Sequence, residues 1–231
     1  MANSPVRRLR RMFDEFGAVD GVLYLLSRLA GATGGRVALY RYLFFAQPVP
    51  EQAPPPPRRA PRFPPIREVG PDDPLRARFP RPDAVIGGRY AQGSHCLAAE
   101  QDGEFVGYVW LQLGPYLEDE VRCRFVPGPA GQAAWDYDIY LVPERRLGRG
   151  FLYLWQAANS FMRERGIRWT ISRVSAFNTQ SIRSHQRLGA SHLGSAVFLK
   201  VFGAQLMLAS RRPWLHLSPG AASIPTMHLE A

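Results

Sequence analysis

The stretch Trp135-Asp136-Tyr137-Asp138-Ile139-Tyr140-Leu141-Val142-Pro143-Glu144-Arg145-Arg146-Leu147-Gly148-Arg149-Gly150-Phe151 decides how this chain folds. Trp135 to Val142 reads as a strand, Arg145 to Gly150 as a glycine-bearing turn, and the residues from Phe151 as an amphipathic helix. Phe151, Leu154, Trp155, Ala158, Phe161 and Met162 recur at the three-and-four spacing of one buried helix face, and Gly166 ends it. Glycines where a strand gives way to a helix let several backbone N–H groups converge on one anion. Arg145, Arg146 and Arg149 add positive charge there, which suits a pyrophosphate; the same pattern also serves an ordinary strand-to-helix connection.

Working outward, a second strand follows and then a short helix opening at Asn178, with Ser181 and His185 three and seven places on, so that the three share a face. Through Arg145, Gly148 and Gly150 the turn resembles the Arg/Gln-x-x-Gly-x-Gly/Ala loop of the GNAT superfamily of acyl-CoA-dependent N-acyltransferases. The series Asn178, Ser181, His185, Gly189, Ala190 resembles its second motif. His185 stands where that superfamily usually carries a tyrosine, and Ala190 where it carries a phenylalanine. The resemblance covers roughly Ile66 to Leu208. It implies an α+β, three-layer fold: a mixed, mainly antiparallel central sheet with a splayed parallel strand pair, flanked by helices, here with an N-terminal helical appendage.

The resemblance also implies acetyl-CoA or another acyl-CoA as co-substrate, no metal, and transfer to a primary amine of a small molecule. Leu141 and Val142 would bind the pantetheine through their backbone, and Arg145, Arg146, Leu147, Gly148, Arg149, Gly150 and Phe151 would cradle the diphosphate. Asn178 and Ser181 would face the cofactor, and His185, with an ordinary pKa near 6.5, is the candidate proton donor to the departing thiolate. A base is also required. Asp136 and Asp138 alternate along the strand and so are expected on one face, each raising the other's proton affinity, with Asp138 the preferred base. Glu118 and Glu120, beside Asp119, are candidates for binding a cationic acceptor; equally, they pair with Arg122, Arg124 or Arg173. A module that binds acyl-CoA without chemistry, and a membrane-associated acyltransferase using long acyl donors, are the alternative readings.

The chain has 231 residues, 46% hydrophobic, enough for one good core and an appendage. Its net charge is +10 and almost all the cation is arginine, since Lys200 is the only lysine. Such charge fits either a compositional bias or an anionic partner. Nucleic acid ranks last, because the aromatics fall at core spacing and not between basic residues. Cys96 and Cys123 are expected as buried free thiols on separate strands. No secretion signal or long apolar run is visible near the start, so a cytoplasmic location is expected, with peripheral contact at the inner membrane surface as an option.

In domain terms, residues 1–46 read as an appendage, 47–65 as a proline-rich linker, 66–210 as the acyltransferase domain and 211–231 as a tail that hugs the surface or frays. In the appendage Val6, Leu9, Met12, Phe13 and Phe16 recur at helical spacing among Arg7, Arg8, Arg10 and Arg11. That pattern fits membrane contact, a cap on the domain or a homodimer interface. Gly21 to Leu29 continues as helix and Arg36 to Phe45 as strand. Ile66 to Val69, His95 to Glu100, Phe105 to Leu113, Val121 to Val126, Ser191 to Phe202 and Ala204 to Ala209 read as further strands.

Overall fold

The computed structural model describes residues 5–53, 63–146 and 149–231; Leu147 and Gly148 of the turn, and Pro54 to Pro57 of the linker, lie outside them. In chain order the elements are helix α1 (Pro5–Gly31) and strands β1 (Val37–Pro48) and β2 (Ile66–Val69), then a 3-10 turn (Pro74–Arg78) and helix α2 (Asp83–Ala91). Next come strands β3 (His95–Gln101), β4 (Glu104–Gln112), β5 (Tyr116–Leu117), β6 (Arg124–Gly128) and β7 (Ala133–Leu141). A second 3-10 turn (Pro143–Arg145) leads to α3 (Gly150–Glu164), β8 (Trp169–Ser175), α4 (Thr179–Arg187), β9 (Ser191–Val201), β10 (Ala204–Ala209), β11 (Leu215–Ser218) and β12 (Thr226–Glu230). They gather into two compact units, one of Pro48–Leu117 with Pro127–Ser172, the other of the residues up to Gln47 with Glu118–Val126 and Arg173–Glu230.

The first unit is a sheet in the order β2-β3-β4-β7-β8, antiparallel except for the parallel pair β7–β8, which is the expected mixed arrangement. Period-two alternation sorts its two faces. Leu97, Val109, Leu111 and Ala134 pack with Trp155, Ala158, Phe161 and Met162 of α3. On the opposite face Tyr108 and Trp110 meet Phe79, which follows the first 3-10 turn, and Tyr90 of α2. Two helical layers thus cover the sheet. Asp73 caps the first 3-10 turn by accepting the Leu75 N–H, the role its place before Pro74 predicts. Asp102 and Gly103, both at positive φ (54° and 81°), make the tight β3–β4 hairpin.

The second unit is an antiparallel sheet in the order β1-β9-β10-β11. The strand expected inside the N-terminal appendage is thus one of its members, since β1 pairs with β9 from Val37↔Val201 to Ala46↔Ser191. The two N-terminal helical stretches form one element, broken at Gly17, whose φ of 78° and ψ of 173° only glycine adopts readily. Beyond Arg211 the chain does not fray. It makes β11 on β10 and then β12, and Met227 and Leu229 are fully buried, because their alternation gives β12 an apolar face. The expected strand at Val121 starts only at Arg124, so Cys123 precedes a strand; it and Cys96 are buried free thiols. Among the described residues no group of three or more potential metal ligands occurs.

Candidate active site

The site is built on β7. Its parallel ladder with β8 runs through Ala133↔Trp169, Ala134↔Thr170 and Trp135↔Ile171 and ends there. On its other edge the ladder with β4 passes from Trp110↔Tyr137 to Tyr108↔Tyr140, so Asp138 and Ile139 together oppose Val109. This is a β-bulge, and Asp138 takes the left-handed conformation within it (φ 47°).

The bulge separates the two aspartates expected on one face. Asp136 is buried and accepts a hydrogen bond from the Thr170 hydroxyl. Desolvation pushes its carboxyl up to about 7, against the opposing pull of that hydrogen bond. Asp138 is turned to the other side, where Oδ2 accepts from Arg89 Nη1 (2.6 Å), Tyr108 Oη (2.9 Å) and Arg81 Nε (2.9 Å), and Oδ1 from Arg81 Nη2. Arg89 also lies over the rings of Trp110 (5.3 Å) and Tyr137 (5.0 Å). Burial alone would raise the Asp138 carboxyl, but the hydrogen bonds and charges of the two arginines outweigh it and hold it below the usual carboxylate range. The expected mutual raising of proton affinity is therefore absent: one carboxyl rises by desolvation and the other falls by ion pairing. Arg81, Arg89, Tyr108 and Thr170 carried no signal in the sequence, because only the bulge brings the first three to Asp138.

Past the bulge, Val142 donates its N–H to Val106 O (3.0 Å) and so faces β4. Backbone groups alternate along an antiparallel strand, so those of Leu141 face the other way, towards the edge that β8 has left. The Leu141 carbonyl there accepts from Arg146 Nε (2.9 Å), which leaves its N–H as the outward donor. Expected together as backbone ligands, Leu141 and Val142 are thus divided. Arg145 donates to Gln101 Oε1 (2.8 Å), and the Arg146 guanidinium lies 5.4 Å from the Tyr140 ring centre.

Helix α3 begins at Gly150 with Arg149 at its N-cap and no side-chain cap, so its first amides lack intrahelical partners. An uncapped helix start preceded in sequence by Arg145, Arg146 and Arg149 fits an anionic group. Gly150 is dictated by packing, since a Cβ there would lie 3.0 Å from Phe63 and 3.1 Å from the Arg145 carbonyl. Phe151, expected on the buried helix face, is exposed and stacks on Trp155; as the second residue of the helix it lies at the rim of the core.

The remaining candidates belong to the other unit. Asn178 is the N-cap of α4 and accepts the Ser181 N–H (3.0 Å), so one amide contact of each is already made within the helix start. The His185 ring stacks on Phe45 (5.6 Å, interplanar 8°), its buried Nδ1 has no hydrogen-bond partner, and desolvation lowers its pKa. Glu118 and Glu120 are held by Arg173 (2.9 and 2.7 Å), and Glu120 also accepts from Tyr42 Oη (2.7 Å). Of the three arginines weighed as partners, Arg173 takes both carboxylates, whereas Arg122 bonds backbone carbonyls of Gly203 and Ser218. The lone lysine, Lys200, donates to the Glu120 carbonyl (3.0 Å).

The profile of the Acetyltransferase (GNAT) family matches residues 59–190. A search of curated proteins finds no match. Among solved structures, a putative GNAT acetyltransferase from Novosphingobium aromaticivorans is similar at 18% identity and a TM-score of 0.45, over 70% of this chain and 64% of that one. A functionally unknown conserved protein from Staphylococcus epidermidis is similar at 14% identity and 0.46, over 74% and 66%. The aminoglycoside N-acetyltransferase AAC(6')-Iy in complex with CoA is similar at 21% identity and 0.41, over 54% and 89%. This chain therefore spans less than two thirds of the length of the first two.

Proposed function

The chain belongs to the acetyltransferase (GNAT) family, and on that premise we propose that it transfers an acyl group, acetyl above all, from CoA to a primary amine of a small molecule in the cytoplasm. One observation carries this reading: β7 parts from β8 after Trp135 and leads, through a bulge, to a helix whose first amides are uncapped. The N–H groups at the start of α3, with Arg145, Arg146 and Arg149, bind the diphosphate. Leu141 N–H donates to the thioester oxygen as charge gathers there. The family resemblance makes Asn178 and Ser181 the candidates for the pantetheine.

Proton traffic falls to two residues. The family resemblance makes His185 the candidate proton donor to sulfur; because burial lowers its pKa, the charged form is lost as pH rises through that lowered value. Asp138 receives the amine. Its Oδ2 accepts from Arg89, Tyr108 and Arg81 Nε, whereas Oδ1 is held by Arg81 alone among the contacts described. The side chain of Arg81 is 40% exposed. When Arg81 swings outward both of its contacts to Asp138 are lost together, and the carboxylate, left with Arg89 as its arginine partner, gains proton affinity and takes a proton from the acceptor's ammonium, which becomes the neutral amine. Glu118 and Glu120, bridged by Arg173, are in this reading a structural cluster and not the acceptor site.

Calorimetry with acyl-CoAs of increasing chain length, followed by CoA release across an amine panel, tests the proposal. Binding with amine-dependent release is expected. Binding without release makes the chain an acyl-CoA-binding module, and no binding overturns both readings. Arg81→Ala is expected to move the acidic limb of the turnover profile to higher pH, because Asp138 loses a cation. His185→Phe is expected to cut turnover far more than acyl-CoA affinity.

A further inference from the structure

The exposed large apolar side chains of this molecule concentrate in α1 and in the segment from Val201 to Leu217. After the break at Gly17, Val19, Val22, Leu26 and Leu29 recur three, four and three places apart, so they form one stripe, and they are 71, 48, 46 and 68% exposed. The inward side of the same helix mixes polar and aromatic residues with the buried Ala30. Asp20 accepts from Arg41 Nε of β1 (3.1 Å), the Ser27 hydroxyl donates to the Tyr24 carbonyl (2.7 Å), and the Tyr24 ring meets Phe16 at a tilt and Phe177 edge-on. A helix lying on a protein ordinarily keeps its apolar residues inward; α1 turns Leu23, Tyr24 and Ala30 inward and still leaves a second apolar stripe exposed.

The sheet beside it continues the surface. The registers align Arg41, Val197, Leu208 and Leu215 in one row across β1, β9, β10 and β11, and Leu39, Leu199, Leu206 and Leu217 in the next but one, which places all eight on one face. The Asp20–Arg41 ion pair seats α1 over the β1 end of that face, so the outward stripe of α1 and the uncovered end of the sheet look the same way. Leu208, Leu215 and Leu217 at the β10–β11 end are exposed, and Trp214, with Arg212 stacked 4.8 Å from its ring, stands at the edge.

Charge decides what covers this platform. Arg7, Arg10, Arg11 and Arg28 of α1 are exposed, whereas of its acids Glu15 accepts from Thr179 Oγ1 (2.7 Å) and Asp20 is taken by Arg41, which leaves Asp14. A second copy packed on the stripe by two-fold symmetry would bring the same arginines together, which like charges oppose. A lipid surface with anionic headgroups answers both the arginines and the aliphatic stripe. No described helix is long and apolar enough to cross a membrane. We propose that the protein docks peripherally on an anionic membrane surface, with the α1 stripe and the open β10–β11 rows entering the headgroup boundary and the α1 arginines meeting the phosphates.

Co-sedimentation of the full chain with phosphatidylcholine vesicles, with and without phosphatidylglycerol, tests this. Binding is expected with phosphatidylglycerol, weakens in high salt, and is absent on phosphatidylcholine alone. Each arginine removed lowers affinity roughly fivefold, so Arg7→Gln with Arg10→Gln costs roughly 25-fold. Val22→Glu with Leu29→Glu is expected to abolish binding; if that variant fails to fold, the arginine pair and quenching of Trp214 by brominated lipid carry the test. Failure to sediment with phosphatidylglycerol overturns the proposal, as does sedimentation indifferent to both variant pairs. A dimer in light scattering that Val22→Glu with Leu29→Glu dissolves, without vesicle binding, assigns the face to a second copy instead.

Discussion

Helices α3 and α1 are both amphipathic in sequence and opposite in structure. In α3 the apolar residues Trp155, Ala158, Phe161 and Met162 are buried against a sheet face of Leu97, Val109 and Leu111, and Leu154 packs with Ala99, Val106 and Leu141. In α1 the stripe from Val19 to Leu29 points to solvent, while Asp20 and Tyr24 make the contacts inward. Spacing identifies a face in both helices. What covers that face depends on the partner surface: a flat aliphatic one under α3, and in the other unit one that offers α1 an arginine and an aromatic ring.

The largest test of this contrast is truncation on each stripe. Leu154→Ala or Met162→Ala is expected to lower stability by about 2–5 kcal/mol, read from urea unfolding. Val22→Ser and Leu26→Ser are each expected within about 0.5 kcal/mol of the parent. Comparable losses would mean that the α1 face is covered in solution.

Gly107→Ala probes how tightly the closed region is packed. Its Cβ would lie 2.6 Å from the Tyr140 carbonyl and 2.7 Å from Leu141. A loss of about 1–3 kcal/mol in the same unfolding assay is expected, and a neutral substitution would show that β4 and β7 can part there.

A further effect is one of pH. Asp136 has a folded-state carboxyl near 7, above its unfolded value of about 4, so between these values the unfolded chain holds fewer protons. Stability therefore falls as pH rises across that window. Asp136→Asn is expected to remove this component of the slope in unfolding curves taken at successive pH values, and an unchanged slope would show that the carboxylate is solvated.

How far this architecture can be read from residues alone differs along the chain. The β3–β4 hairpin was legible because Asp102-Gly103 needs two left-handed conformations that few other pairs accept. Asn178 announced the start of α4 because a side-chain acceptor before a helix has a local role. The bulge at Asp138 was not legible: alternation assumes an unbroken ladder, and one additional residue reverses the face of everything after it. The strands after Arg211 were missed for a related reason. Pro213, Pro219 and Pro225 all fall outside β11 and β12, so prolines that suggested an irregular tail instead punctuate two short strands.

The single lysine, whose ammonium rests on the Glu120 carbonyl, has a practical consequence. Amine-reactive dyes and stray self-acetylation have one ε-amine to find in this chain, at the end of β9. A mass spectrum of the protein after incubation with labelled acyl-CoA can therefore distinguish label passed to an added acceptor from label caught at Lys200, without any substitution of the enzyme.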